Sequence, residues 1–191
     1  YMIDGGSEPQ FPKTVNWAKS SPDTFAKLME KLTEVLIQYV RLQAKSGVDA
    51  IQIFDSWNGL CPGEKVNEWS LQWINQIAEE VSSTVPVILY AKAPSERLSH
   101  FSKCPVSGIS VDHNTDLVYA RSMLPSHFTL QGNLDPALLE TDEKTVQNAA
   151  LDLLLKMKGD PGHILNLGHG IRPQAKVECM QSLVQTVSEF S

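Results

Sequence analysis

His163-Ile164-Leu165-Asn166-Leu167-Gly168-His169-Gly170-Ile171 reads as an apolar strand that empties into a polar, glycine-flanked turn. The layout recurs in Phe128-Thr129-Leu130-Gln131-Gly132-Asn133-Leu134-Asp135-Pro136. It recurs again in Ala50-Ile51-Gln52-Ile53-Phe54-Asp55-Ser56-Trp57, where the apolar run ends in Asp55 and Ser56. In parallel α/β folds, reactive groups gather at the carboxyl ends of strands, because the loops there are free to vary. Amide, imidazole, hydroxyl and carboxylate at three such ends outline a site.

Working outward, strands and helices alternate. Ser21-Pro22 opens a helix, with Ser at the N-cap and Pro at the first helical position. Phe25, Leu28, Leu32, Val35, Leu36 and Tyr39 recur along it at helical spacing, and Gly47 closes it. Strand 50–55 follows, then a helix over 64–83 with Trp69, Trp73, Ile77 and Val81 on one face. Strand 86–91 ends before Lys92, a short helix covers 94–103, and strand 108–112 ends in Asp112. A helix near 115–124, strand 127–131, a helix over 142–158, strand 163–167 and a last helix complete the series. Val146, Ala150, Leu153 and Met157 face inward on the first of those long helices, and Val177, Met180, Val184 and Val187 on the last. Asp135-Pro136 is a further N-cap and first-turn pair.

Such apolar strands are buried on both faces, and βα alternation means a parallel sheet. No glycine-rich phosphate fingerprint follows any strand. Polar residues at nearly every strand end favour a barrel over an open nucleotide-binding sheet. A complete (β/α)8 barrel has eight units and typically about 250 residues. Five are counted here, so residues 1–191 are expected to be the carboxyl-terminal portion of a single (β/α)8-barrel domain.

Composition narrows the function. The chain is 42% hydrophobic, ordinary for a globular core, and no run approaches the roughly 18 apolar residues of a membrane span. It opens Tyr1-Met2-Ile3-Asp4-Gly5-Gly6, without a basic leader, which points to a processed or partial chain. Net charge is −6, and Lys27, Lys31, Arg41 and Lys45 are spread among acids along one helix. That spacing is no nucleic-acid stripe, but it leaves room for an anionic small molecule. Cys61, Cys104 and Cys179 fit neither a disulfide framework nor a zinc knuckle; reduced thiols in a cytoplasmic protein are expected. No zinc motif occurs, so no metal is expected.

Each candidate residue has a plain alternative. His169, beside Asn166 and two glycines, either donates to an anion or exchanges a proton, or it satisfies backbone carbonyls of its own turn. Gln131 and Asn133 offer amides to carboxylates or ring nitrogens. Ser56 can hydrogen-bond a carboxylate, and Asp55 can act as a base or orient a neighbour; no G-x-S-x-G elbow makes Ser56 a nucleophile. Lys92 and Asp112 are either an anion clamp with its counter-charge or a plain ion pair. His113 stays open, His100 and His127 read as surface residues, and Trp57, Trp69 and Trp73 as either a pocket wall or core packing.

Ile53-Phe54-Asp55-Ser56-Trp57-Asn58-Gly59, Leu130-Gln131-Gly132-Asn133-Leu134-Asp135-Pro136, Asn166-Leu167-Gly168-His169-Gly170-Ile171 and the opening Tyr1–Gly6 together resemble the uroporphyrinogen decarboxylase family. The resemblance implies a cofactor-free (β/α)8-barrel carboxy-lyase of haem biosynthesis, usually a homodimer. It removes carbon dioxide from the four acetates of uroporphyrinogen III to give coproporphyrinogen III. By motif match, Tyr1 and Ser56 are its substrate-contacting hydroxyls and His169 its substrate-contacting imidazole. Asp55, Gln131 and Asn133 line the same mouth. The family's central Asp and its carboxylate-binding arginines are expected upstream of Tyr1. The chain by itself is therefore expected to contain no catalytic residue and to be inactive. Two rivals remain: a related zinc- or corrinoid-linked methyltransferase barrel, and a non-catalytic porphyrinogen-binding module.

Overall fold

A computed structural model describes residues 2–6 and 10–190. It shows an α/β protein with parallel β-structure, dividing into two compact units. The first comprises residues 1–93 with 103–107, the second residues 94–102 with 108–191.

In the first unit, β1 (Ile51–Asp55) and β2 (Val87–Ala91) pair in parallel, with Ile51 beside Val87 and Asp55 beside Ala91. The pairing continues one step further, where the Lys92 N–H donates to the Asp55 carbonyl at 3.1 Å. Val87 and Leu89 are fully buried, as their apolar run requires. β1 departs from that expectation, because Phe54 is 67% exposed, its ring centroid 5.7 Å from that of Tyr90.

Two helices precede β1. α1 (Pro12–Ser20) is a helix the sequence reading does not contain. Its apolar residues make no long stripe, and its amino end is capped from a distance: Asp4 accepts from the Lys13 N–H at 2.9 Å and the Thr14 N–H at 3.1 Å. The Thr14 hydroxyl also donates to Asp4. Burial acts to raise the Asp4 carboxyl, but these hydrogen bonds outweigh it and hold the group below the usual carboxylate range. α2 (Pro22–Lys45) begins at Ser21 as read, although the Ser21 side chain makes no capping bond. Its inward positions are Phe25, Thr33 and Val40, whereas Val35, Leu36 and Tyr39 lie on an exposed face. Phe25 packs with Ala18 and Trp69, its ring 5.8 Å from Trp17 and 6.1 Å from Trp69.

The helix read over 64–83 is three pieces: a 3-10 turn (Gly63–Lys65), a π-helical segment (Asn67–Leu71) and α3 (Gln72–Glu79). The π segment buries Trp69, Ser70 and Leu71 in succession, which one α-helical stripe cannot do.

In the second unit, α4 (Leu98–Phe101) precedes β3 (Gly108–Ser110), and α5 (Leu117–Met123) precedes β4 (Thr129–Gln131). β4 lies between β3 and β5 (His163–Ile164), parallel to both. β5 is shorter than the strand read over 163–167, but a parallel bridge between Leu134 and Leu167 prolongs the contact. Asp135 caps the following 3-10 helix through the Ala137 N–H at 2.8 Å.

α6 (Glu143–Lys156) and α7 (Val177–Glu189) pack around Leu139, Val146, Ala150, Cys179 and Leu183. The face of α7 is a correction. Cys179, Leu183 and Thr186 point inward, while Val177, Val184 and Val187 are exposed. Two stripes of similar spacing run along this helix, and the one carrying Cys179 and Leu183 packs in one cluster with fully buried Val146 and Ala150.

Candidate functional site

The site residues fall into two clusters, one in each unit. In the first, β1 delivers Asp55 to its end, and residues 56–58 turn away from the strand. The Asn58 amide donates to the Asp55 Oδ2 at 2.9 Å, and the Ser70 hydroxyl donates to the same oxygen at 2.5 Å. Asn58 is fully buried and Ser70 nearly so. Ser56 stands half-buried beside them, and its hydroxyl makes no hydrogen bond among the described residues. The next ring, Trp57, is 46% exposed and meets Phe11 edge-on at 4.8 Å.

An apolar cavity of about 380 Å³ lies against this turn, lined by Asp55 and Ser70 among rings that include Phe11, Phe54, Trp57 and Trp69. Trp69 is core packing, and the Trp73 indole donates to the Glu68 carbonyl at 3.0 Å. Of the tryptophans read as a possible pocket wall, Trp57 presents the most exposed ring.

In the second cluster, β3, β4 and β5 bring together Ser110, Gln131, Asn133 and the turn around His169. The Gln131 amide donates to the Ser110 hydroxyl at 3.0 Å, and both are buried. The Asn133 amide donates to the carbonyls of Asp112 and Thr115, each at 2.6 Å. Its two hydrogens thus brace the turn after β3, leaving the Oδ1 as what it can offer a ligand. Asp112 is bonded within that turn, accepting from the Thr115 hydroxyl at 2.9 Å and the Asn114 amide at 3.2 Å.

Gly132 must be glycine. Its φ is +145°, and a Cβ there would sit 3.0 Å from the Val111 carbonyl oxygen. His163 Nε2 lies 3.0 Å from the Gly132 carbonyl, which requires the proton on that nitrogen. His169 is exposed, and its Nδ1 accepts from the Gly170 N–H at 2.8 Å. His113 was not assigned from sequence; its Nδ1 is buried without a partner among the described residues. His100 and His127 are exposed, as read. Tyr1 lies outside the described residues.

Ser70, Asn58, Thr115 and Ser110 were missed by sequence reasoning. Asn58 carries a faint local signal, an amide three residues after a strand-end Asp. Ser70 carries none, because it reaches Asp55 from another element. Among the described residues, no three His, Cys, Asp or Glu side chains are placed to share a metal ion, and no helix is long and apolar enough to cross a membrane.

The sequence model of the family described as Uroporphyrinogen decarboxylase (URO-D) matches residues 1–190. The chain belongs to the uroporphyrinogen decarboxylase family. It is 33% identical to the uroporphyrinogen decarboxylase of Ruthia magnifica, with all of this chain and 56% of that protein covered. It is 34% identical to the Coxiella burnetii uroporphyrinogen decarboxylase, covering 54% of it, and 34% identical to that of Dichelobacter nodosus, covering 55%. The chain therefore spans about half the length of the curated relatives it matches. Among solved structures, a methyltransferase from Methanosarcina mazei superposes with a TM-score of 0.82 at 21% identity, over 94% of this chain and 53% of that one. At that identity the likeness is one of fold.

Proposed function

We propose that these βα units belong to a cofactor-free (β/α)8 barrel, and that the full-length protein decarboxylates the four acetates of uroporphyrinogen III to coproporphyrinogen III. The observation that carries this reading is the family match across residues 1–190. The polar strand ends agree with it, since a donor set of hydroxyl, amide and imidazole suits a substrate rimmed with carboxylates.

A pyrrole acetate loses carbon dioxide only when the bonding electrons have somewhere to go. Protonating the electron-rich ring creates that sink. The carbon–carbon bond to the carboxylate then breaks, and its electrons neutralise the ring cation to leave an exocyclic methylene. Protonation of that carbon, with loss of the first proton from the ring, gives the methyl group on a restored pyrrole. The protein must supply an acid, a carboxylate facing the pyrrole N–H groups, and donors that hold the remaining carboxylates.

To Ser56 and Tyr1 we assign hydroxyl donation to substrate carboxylates, and to the His169 imidazole a substrate contact. Gln131, Asn133 and Asp55 are assigned to the substrate-binding set on the family resemblance, with Asn133 bracing the turn after β3. The cation-stabilising carboxylate and the carboxylate-binding arginines are assigned to parts of the full-length protein outside residues 1–191. A homodimer in the cytoplasm completes the proposal, on the strength of the family resemblance.

The test is conversion of uroporphyrinogen III by the full-length protein, followed by chromatography of the oxidised porphyrins. Coproporphyrin should accumulate, and Ser56→Ala and His169→Ala should each lower kcat/KM about 10-fold or more, the scale of one lost charge-assisted hydrogen bond. Normal turnover by the 191-residue chain alone would overturn the assignment of the acid and arginines elsewhere.

A further inference from the structure

At the end of β1, the first and last side chains of the 55–58 turn are bonded to each other. Asn58 Nδ2 donates to Asp55 Oδ2 at 2.9 Å and lies 3.1 Å from Ser70 Oγ, which itself donates to Asp55 Oδ2 at 2.5 Å. One carboxylate oxygen thus takes two donors, both from side chains with almost no exposure to water. Hydrogen bonds to an ionised acceptor in such a place are among the stronger ones available to a protein. The turn backbone is pinned as well, by the Gly59 N–H to the Lys92 carbonyl at 2.9 Å and the Cys61 N–H to the Asn58 carbonyl at 3.0 Å. Ser56 and Trp57 sit between the clamped residues. Phe11 braces Trp57, and the Ser56 hydroxyl is left unengaged among the described residues.

We propose that Asp55 is a positioning residue, gripped by Asn58 and Ser70, whose task is to aim the Ser56 hydroxyl at a substrate carboxylate. Its own carboxylate takes no part in proton transfer. The inference rests on the assignment of Ser56 as a substrate contact. A displacement of about 1 Å at a group that orients substrate can cost on the order of 100-fold in rate, so a clamp of this kind has a measurable consequence. It also makes a prediction about charge. The clamp needs an oxygen that accepts from Ser70 and Asn58, and a carboxamide oxygen meets that need without a negative charge.

The experiment compares Asp55→Asn, Asp55→Ala, Asn58→Ala and Ser70→Ala in the full-length protein, alone and combined with Ser56→Ala. Thermal melting identifies any variant that fails to fold; Ser70→Ala deletes one atom and keeps the test alive if Asn58→Ala does not fold. Steady-state uroporphyrinogen decarboxylation should show Asp55→Ala, Asn58→Ala and Ser70→Ala raising KM about 10-fold with a smaller change in kcat. Asp55→Asn should recover most of what Asp55→Ala loses, and the clamp variants should add nothing once Ser56 is Ala. An Asp55→Asn enzyme as impaired as Asp55→Ala, with its acid pH limb moved, would overturn the proposal in favour of a proton-transfer role. Clamp variants that leave KM unchanged while Ser56→Ala raises it would overturn positioning alone. A silent Ser56→Ala would instead defeat the Ser56 assignment, and the clamp's purpose with it.

Discussion

A Cβ placed on Gly168 would lie 2.2 Å from the backbone nitrogen of His113. The turn that carries His169 is therefore pressed against the turn that follows β3, and glycine is what allows the approach. The Gly168 N–H also donates to the Leu134 carbonyl at 2.8 Å, so the turn cannot simply lift away. Gly168→Ala should destabilise the protein by about 1–3 kcal/mol, the usual cost of overpacking a closed contact. Urea unfolding of the two proteins measures this, and an unchanged midpoint would refute the close packing.

The inward face of α7 can be tested by pairing a buried with an exposed deletion. Cys179 and Leu183 contact the cluster around Leu139, which is fully buried, whereas Val177 is 70% exposed. Leu183→Ala, on the buried face of α7, should cost about 2–5 kcal/mol. Val177→Ala should change stability by less than about 0.5 kcal/mol, as surface substitutions usually do. Equal effects would restore the valine-faced helix that the sequence pattern first implies.

That α7 error shows where sequence reading stops. Val177, Met180, Val184 and Val187 form a proper helical stripe, but so do Cys179, Leu183 and Thr186, and only the partner helix decides between them. β2 is readable because Val87 and Leu89 need no partner-specific choice; they are apolar wherever a parallel sheet buries them. Asp135 is readable for a similar reason, since a cap acts within its own turn. α1 escapes because Asp4 caps it from nine residues upstream, and no spacing rule anticipates that. The Asp55 end of β1 was visible as a polar strand terminus, while Ser70, which fixes it, is 15 residues away on a segment read as ordinary helix.

The cap at the start of α6 should be visible in the acid limb of stability. Asp142 is held below the usual aspartate range, chiefly by the hydrogen bond from the Thr145 hydroxyl and then by the Thr145 N–H. A carboxyl with a depressed native value stabilises the fold above its unfolded value, about pH 4, and loses that contribution as pH falls through the native one. Urea midpoints of the parent and Asp142→Ala should differ at pH 6 and converge toward pH 3. A constant difference across that range would contradict the role.

Thiol labelling probes the cores of both units at once. Burial pushes Cys104 up to about 11, and it raises Cys179 as well, while Cys61 is half-buried. Iodoacetamide at pH 8 should alkylate native Cys61 first and leave Cys104 and Cys179 unmodified until denaturant is added, because the thiolate is the reactive form. Peptide mass spectrometry reads the order. Early modification of Cys104 would place it outside the core.

The most direct measurement is the product formed from uroporphyrinogen III by the full-length protein, compared with Ser56→Ala and His169→Ala. The account predicts coproporphyrinogen from the parent and a kcat/KM at least about 10-fold lower in each variant, from the loss of one hydrogen bond to a charged substrate group. No coproporphyrinogen from the parent, or full activity in both variants, would contradict it.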